Sequence, residues 1–272
     1  MAIRQGRVSR MVDATTFPQQ EKYPRRKAEA NKRFFEAEAE YFEYLKDKSV
    51  VIVGPAGYLK GQGRGPEFDG YDVIVRINLS CPVAEDLKVD VGSRTDVLYH
   101  IIIKDTHIKQ RPDLFQHHTR EELETWAADG VKYVITRDNN RVNGFMPLTE
   151  GLFTAYPISS YQMRLIRNMF RTMPNMGSMA IWHILKSDCK SLHVAGCDYH
   201  LTGYYETYGG FDEKQAAAGK RGDAGMKRCW GQIEAPSSRM MHFVPHQLRA
   251  LSRIKQRDKR LTCDQELAVQ LE

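Results

Sequence analysis

No run of about 18 consecutive apolar residues occurs in this chain. Its first 30 residues are basic and polar, without the apolar stretch that a secretory signal needs. We therefore expect neither a membrane-spanning helix nor a secretory leader in the sequence as given. The C-x-x-C pair is also missing: Cys81, Cys189, Cys197, Cys229 and Cys263 are odd in number and widely spaced. This argues against a disulfide framework or a zinc site and for free thiols. Together these absences lead us to expect a soluble chain in a reducing, cytoplasmic compartment, with peripheral membrane contact left open. No Asp-x-Asp is present to hold a divalent ion. The glycine-rich stretch GPAGYLKGQGRG, residues 54–65, fits neither G-x-G-x-x-G nor G-x-x-x-x-G-K-[ST], because Pro55 and Tyr58 interrupt the spacing.

What is present suits one large α/β domain. The chain has 272 residues, and 40 Lys and Arg against 34 Asp and Glu give a net charge of +6. That excess suits an anionic ligand, nucleic acid or a membrane face without choosing among them. Residues 1–24 lack periodicity and read as a flexible basic arm, and residues 25–272 read as one domain. Residues 25–46 carry strong helix formers and an aromatic stripe, predicting a helix docked at the domain edge with its charges in water. Apolar runs at 50–54, 72–78, 94–103, 132–137 and 191–196 read as strands. Helical stretches at 120–129, 161–173 and 177–188 lie between them, and another begins at Val244. Strands alternating with helices imply a mainly parallel sheet covered on both faces, an α/β/α sandwich. Residues 215–225, rich in Gly, Ala and charge, read as a surface loop able to act as a lid.

A glycine-rich turn after a strand lets a ligand approach backbone N–H groups, which is how α/β folds hold phosphates; a plain turn without ligand is the alternative. The second strand ends in Arg76-Ile-Asn78, at the carboxyl end where open sheets bind ligands. Asn78 is placed to bond a ribose or a base edge. Arg76 pairs either with Asp96 or with a phosphate. Of the nine histidines, His107, His117 and His118 read as exposed loop residues, and His183 and His193 as structural.

VVIVGPAGYLKGQGRGPEFDGYDVIVRINLS with DVGSRTDVLYH resembles the large sialyl motif of the sialyltransferases, glycosyltransferase family 29. PNMGSMAIWHILKSDCKSLHVAG resembles the small motif, GYYETY the third, and HFVPHQLRAL the very small one, in the family's order over about residues 49–252. The resemblance implies a variant GT-A-like (Rossmann-like) glycosyltransferase fold. It further implies inverting, metal-independent transfer of a 2-keto sugar acid, sialic acid or Kdo-like, from a CMP-sugar donor to a glycan acceptor, without a cofactor. Nucleic acid is not expected as a partner. A catalytically silent CMP- or glycan-binding relative is the alternative.

By motif position, His242 is the base that deprotonates the acceptor hydroxyl. Gly54, Pro55, Ala56, Gly57, Asn78, Asn175, Met176, Gly177, Gly196, Tyr204 and Tyr205 hold the nucleotide; for the two tyrosines core packing is the alternative. The loop N–H groups of 54–57 and the N-terminus of the helix opened by Gly177 face the phosphate. His200, Glu206 and Gln247 are assisting candidates, His200 being either a phosphate stabiliser or an ordinary loop residue. The chain departs from the family's pattern at several positions. Val50 replaces a motif-linking Cys whose mate is Cys189, so that disulfide cannot form. Pro55 replaces a polar residue, Asn175 and Met176 replace Ser and Thr, Gly203 a His, and Gln247 a Glu.

Overall fold

A computed structural model of the chain describes residues 25–102, 118–137, 142–199 and 243–272. Seven strands form one sheet: β1 (Ser49–Val53), β2 (Val73–Ile77), β3 (Val97–Tyr99), β4 (Tyr133–Arg137), β5 (Thr154–Ile158), β6 (Ser191–Ala195) and β7 (Leu261–Cys263). Their order is β5-β4-β3-β2-β1-β6-β7, with every neighbouring pair parallel. β1 starts a march outward to β5, and the chain then returns to place β6 on the other side of β1. The carboxyl ends of β1 and β6 therefore form a topological switch point, where doubly wound sheets open a crevice.

The side-chain alternation of each strand divides the core. Val50 and Ile52 of β1 join one buried cluster, with Val73, Val75, Tyr99, Ile135, Leu192 and Val194. Over that face lie α1 (Arg25–Leu45), α6 (Ser160–Phe170), α7 (Met176–Ile184), α8 (Val244–Arg257) and α9 (Gln265–Leu271). Val51 and Val53 point the other way, toward α2 (Gly65–Asp69) and α3 (Lys88–Val91). Leu98 and Val134 point to that same opposite side, beneath α4 (Arg120–Ala128) and α5 (Val142–Phe145). Both faces of the sheet are thus dry, which is why the strands read as continuous apolar runs. Local signals start the helices: Thr119 with Glu122, and Ser159 with Gln162, form capping boxes at α4 and α6. Asn175 and Asp264 cap α7 and α9.

Most of the aromatic stripe of α1 is inside, with Tyr41 and Leu45 fully buried and Phe35 left exposed, and Tyr41 touches Tyr133 and Tyr156. A polar chain crosses this layer. The Tyr41 hydroxyl lies 3.2 Å from that of Tyr99, which lies 2.8 Å from His183 Nδ1, and His183 Nε2 is 2.9 Å from Glu38 Oε1. A carboxylate only accepts, so Nε2 carries the proton and Nδ1 accepts from Tyr99. Burial pushes the His183 pKa down against the pull of Glu38.

Much of the 54–96 segment is a lattice that fixes its own loops. Gly61 and Gly63 adopt φ of 80° and 63°, and their N–H groups donate to Asp90 Oδ2 at 2.8 Å and Oδ1 at 2.7 Å. The backbone concavity holds an anion, but that anion is the chain's own carboxylate. These bonds hold the Asp90 pKa below the usual carboxylate value. Asp69 accepts from the N–H of Ser93 with both oxygens. Arg76, expected to meet Asp96 or a phosphate, is fully buried and bonds to main-chain carbonyls and Thr95. Its Nη2 donates to the carbonyls of Val91 and Gly92, each at 2.9 Å, and its Nε to Thr95 Oγ1 at 3.1 Å. Asp96 accepts from the Ile74 N–H, Arg94 and Lys132. His118 also departs from expectation: it is buried against Trp126 and His100, because the chain folds back over the indole at the start of α4.

Candidate functional site

A small pocket, partly open to solvent, lies at the switch point. After β1 the chain contributes Pro55 and Ala56, and after β2 Asn78. After β6 it contributes Gly196 to Tyr199, and the start of α7 contributes Asn175 to Ser178. The structure thus brings together Pro55, Ala56, Asn78, Asn175, Met176, Gly177 and Gly196 from four distant segments.

The floor depends on two backbones in contact. A Cβ on Gly54 would stand 2.2 Å from the Gly196 oxygen, and one on Gly196, at φ 69°, would stand 2.5 Å from the Gly54 oxygen. Only glycine permits this approach. Gly54 N–H donates to the Ala195 carbonyl at 2.8 Å and Ala56 N–H to the Gly196 carbonyl at 3.0 Å. Pro55 has no N–H. The expectation that the 54–57 amides face a phosphate is therefore corrected: two of them are committed to β6 and one is absent. Gly57 opens the short 3-10 turn Gly57–Leu59 beside the pocket. Tyr58, in that turn, and Asp264, after β7, fix the floor from behind. The Gly196 N–H donates to the Tyr58 hydroxyl at 2.8 Å and to Asp264 Oδ2 at 3.0 Å, and Tyr58 also donates to Asp264. Burial, then the adjoining carboxylate, pushes the Tyr58 pKa up.

The donors available to an anion lie at α7. Ser178 N–H is taken by Asn175 Oδ1 at 2.8 Å, and Met179 N–H by the Asn175 carbonyl. The N–H groups of Met176 and Gly177, in the first turn, have no intrahelical acceptor. A Cβ on Gly177 would make only ordinary contacts, 3.6 Å to Asn175 and 3.7 Å to Cys197. Protein packing does not demand a glycine there. Among the described residues no Lys or Arg lines the cavity, so the attraction for an anion comes from the helix terminus.

Gln247, in the first turns of α8 and fully buried, governs that terminus. Its Oε1 accepts from the Asn175 N–H at 2.9 Å and from Ser178 Oγ at 2.9 Å. Because a backbone N–H can only donate, the amide orientation is set. Ser178 then donates to Gln247, and the Tyr199 hydroxyl, 2.7 Å away, donates to Ser178. The carbonyl half of Gln247 thus performs the accepting role open to a carboxylate, while its Nε2 is buried without a hydrogen-bond partner among the described residues.

Asn78 and Tyr199 both adopt left-handed backbone, φ 52° and 55°. Strain of about 1–3 kcal/mol at such positions clusters at ligand sites. Asn78 is held by its N–H bond to the Tyr99 carbonyl at 2.8 Å, leaving its buried Oδ1 without a protein donor among the described residues. Sequence reasoning missed Ser178, Cys197, Asp198 and Tyr199. Ser178 was legible as the third residue after the Asn175 cap, but the others follow a glycine with no periodic signal. Cys197 is a thiol whose pKa burial raises. Among the described residues Cys81, Cys189, Cys197 and Cys263 are all free thiols, Cys81 and Cys189 buried and the other two partly exposed. His242, Tyr204, Tyr205, His200 and Glu206, with the proposed lid at 215–225 and the arm at 1–24, lie outside the described residues. No described helix is long and apolar enough to cross a membrane.

A sequence profile described as glycosyltransferase family 29 (sialyltransferase) matches residues 12–136. The CMP-N-acetylneuraminate-beta-1,4-galactoside alpha-2,3-sialyltransferase of Homo sapiens is 26% identical over 195 residues, covering 60% of this chain and 49% of that protein. Its Rattus norvegicus counterpart is 25% identical over the same shares. The chain spans about half the length of the curated relatives it matches. A crystal structure of a mammalian sialyltransferase superposes with a TM-score of 0.45 and 15% identity, covering 76% of this chain and 79% of that one.

Proposed function

We propose that the chain is a sialyltransferase-like protein of glycosyltransferase family 29, whose profile matches residues 12–136, and that it transfers a 2-keto sugar acid from a CMP-sugar donor to a glycan hydroxyl. The observation that carries this reading is the open first turn of α7 at the β1/β6 switch point. Two N–H groups there, without an acceptor among the described residues, belong to residues that line a cavity with no basic side chain among its described lining. A cytidylate leaving group is an anion, and its departure is assisted by fixed dipoles that need no reorganisation. The orphan Oδ1 of Asn78 offers an acceptor for a ribose hydroxyl or a base amino group.

In this reading the reaction inverts and needs no metal. The acceptor oxygen attacks the anomeric carbon as the bond to CMP breaks, and the acceptor's proton passes to a base. His242 is that base by motif position, and it immediately precedes Phe243, whose N–H donates to Thr172 Oγ1 at 3.3 Å close to the α7 cap. Tyr204, Tyr205, His200 and Glu206 are assisting candidates on the same footing. The donor sugar is sialic acid or a Kdo-like acid.

One observation favours a silent binding relative: Gln247 is a neutral amide, so it cannot raise the pKa of a neighbouring histidine as a carboxylate would. Incubation with a panel of CMP-sugars, scored by mass spectrometry of transferred product, separates the two. Transfer by the wild type with a loss of roughly 10²-fold or more in His242→Ala supports the transferase. Binding of CMP with no transfer by the wild type leaves the silent relative.

A further inference from the structure

The outward side of α6 and α8 does not belong to the pocket. α6 exposes Tyr161, Leu165 and Met169, spaced i, i+4, i+8, at 62%, 40% and 44% accessibility. Arg164, Arg167 and Arg171, all exposed, lie beside this stripe or further round the helix, the Arg164 guanidinium standing 6.0 Å from the Tyr161 ring centre. α8 packs beside α6, its Phe243 and His246 bonded to Thr172 and Arg171 at the end of α6, and exposes Arg249, Arg253 and Arg257. Neither helix contains an acidic residue. Among the described residues, the ion pairs of this protein involve other side chains. Both helices bury their opposite sides in one core cluster, so these side chains all stand on the outer surface of a single layer.

Six arginines and an exposed apolar stripe on one layer are a costly surface for water alone. A second copy of the chain would bring like charges together. Nucleic acid would match the charge but leave Leu165 and Met169 without a role. An anionic bilayer matches both features, since the arginines meet headgroup phosphates while the stripe enters the headgroup–acyl boundary. We propose that the α6–α8 face docks this protein on anionic lipid membranes as a peripheral protein. The proposal stands apart from the transferase reading, because binding to a bilayer involves no sugar.

The test is co-sedimentation of the full chain with phosphatidylcholine vesicles, with and without 30 mol% phosphatidylserine. The wild type should partition onto the anionic vesicles, less so as salt rises. Arg164→Gln with Arg167→Gln should weaken partitioning by about fivefold per arginine. Leu165→Ser with Met169→Ser should weaken it independently of salt. These side chains are exposed, and unchanged thermal melts confirm that each variant folds. No vesicle binding by the wild type, or equal binding by both double variants, overturns the proposal. Binding to a soluble oligonucleotide but not to vesicles would assign the face to nucleic acid and overturn it as well.

Discussion

The side-chain oxygen of Gln247 accepts the backbone N–H of Asn175 at 2.9 Å, tying the first turns of α8 to the cap of α7. The same oxygen accepts from Ser178. Replacing Gln247 with Leu leaves two buried donors without an acceptor, at about 1–3 kcal/mol each. We expect a fall in the urea midpoint and weaker CMP binding, because the helix terminus that faces the cavity loses its anchor. Titration of CMP alongside denaturant melts checks both; a variant as stable as the wild type contradicts the assigned network.

Asp90 explains most of the glycine-rich stretch. Asp90→Asn keeps the shape but replaces one accepting oxygen with a donor facing the Gly61 or Gly63 N–H, so the variant should be less stable by about 1–3 kcal/mol at neutral pH. The sign of its pH dependence follows from the lowered pKa. The unfolded carboxyl titrates near pH 3.9 and the folded one below it, so this stability is complete above the unfolded value and is lost as pH falls through the folded one. The difference in urea midpoint between wild type and Asp90→Asn should therefore narrow below about pH 4.

His100, His183 and His193 all have pKa values pushed down by burial. Below about pH 6.5 the unfolded chain binds protons that the folded chain refuses, so stability falls as pH drops. Each histidine contributes a slope of up to about 1.4 kcal/mol per pH unit. His183→Gln, which preserves a polar group toward Glu38, should flatten the decline between pH 7 and 5.5 by one such contribution. An unchanged slope in urea melts across that range contradicts a neutral, buried His183.

The sheet was legible where both faces of a strand are dry. Val50–Val53 is an unbroken apolar run, and Val73–Ile77 is interrupted only by the buried Arg76. β5 was not, because Pro157 interrupts TAYPI; an edge strand tolerates a missing N–H on its open side. β7 has only three residues. The glycine stretch was legible as an anion holder but not as the holder of Asp90. Residues 27 and 29 positions apart meet only through the register of β2 on β1, which no local pattern encodes. Asn175, Met176 and Gly177 were found through motif position, and Tyr58 and Asp264 were not, since their partnership spans most of the chain.

The central claim is that an anionic cytidylate rests on the first turn of α7, where the lack of a side chain at Gly177 leaves room that protein packing does not require. CMP affinity of Gly177→Ala, measured by calorimetry beside the wild type, tests it most directly. We predict an unchanged or slightly raised melting temperature, since Ala favours the helix, with affinity reduced roughly tenfold or more, about 1.4 kcal/mol. Equal CMP affinity in a folded Gly177→Ala protein would contradict the account.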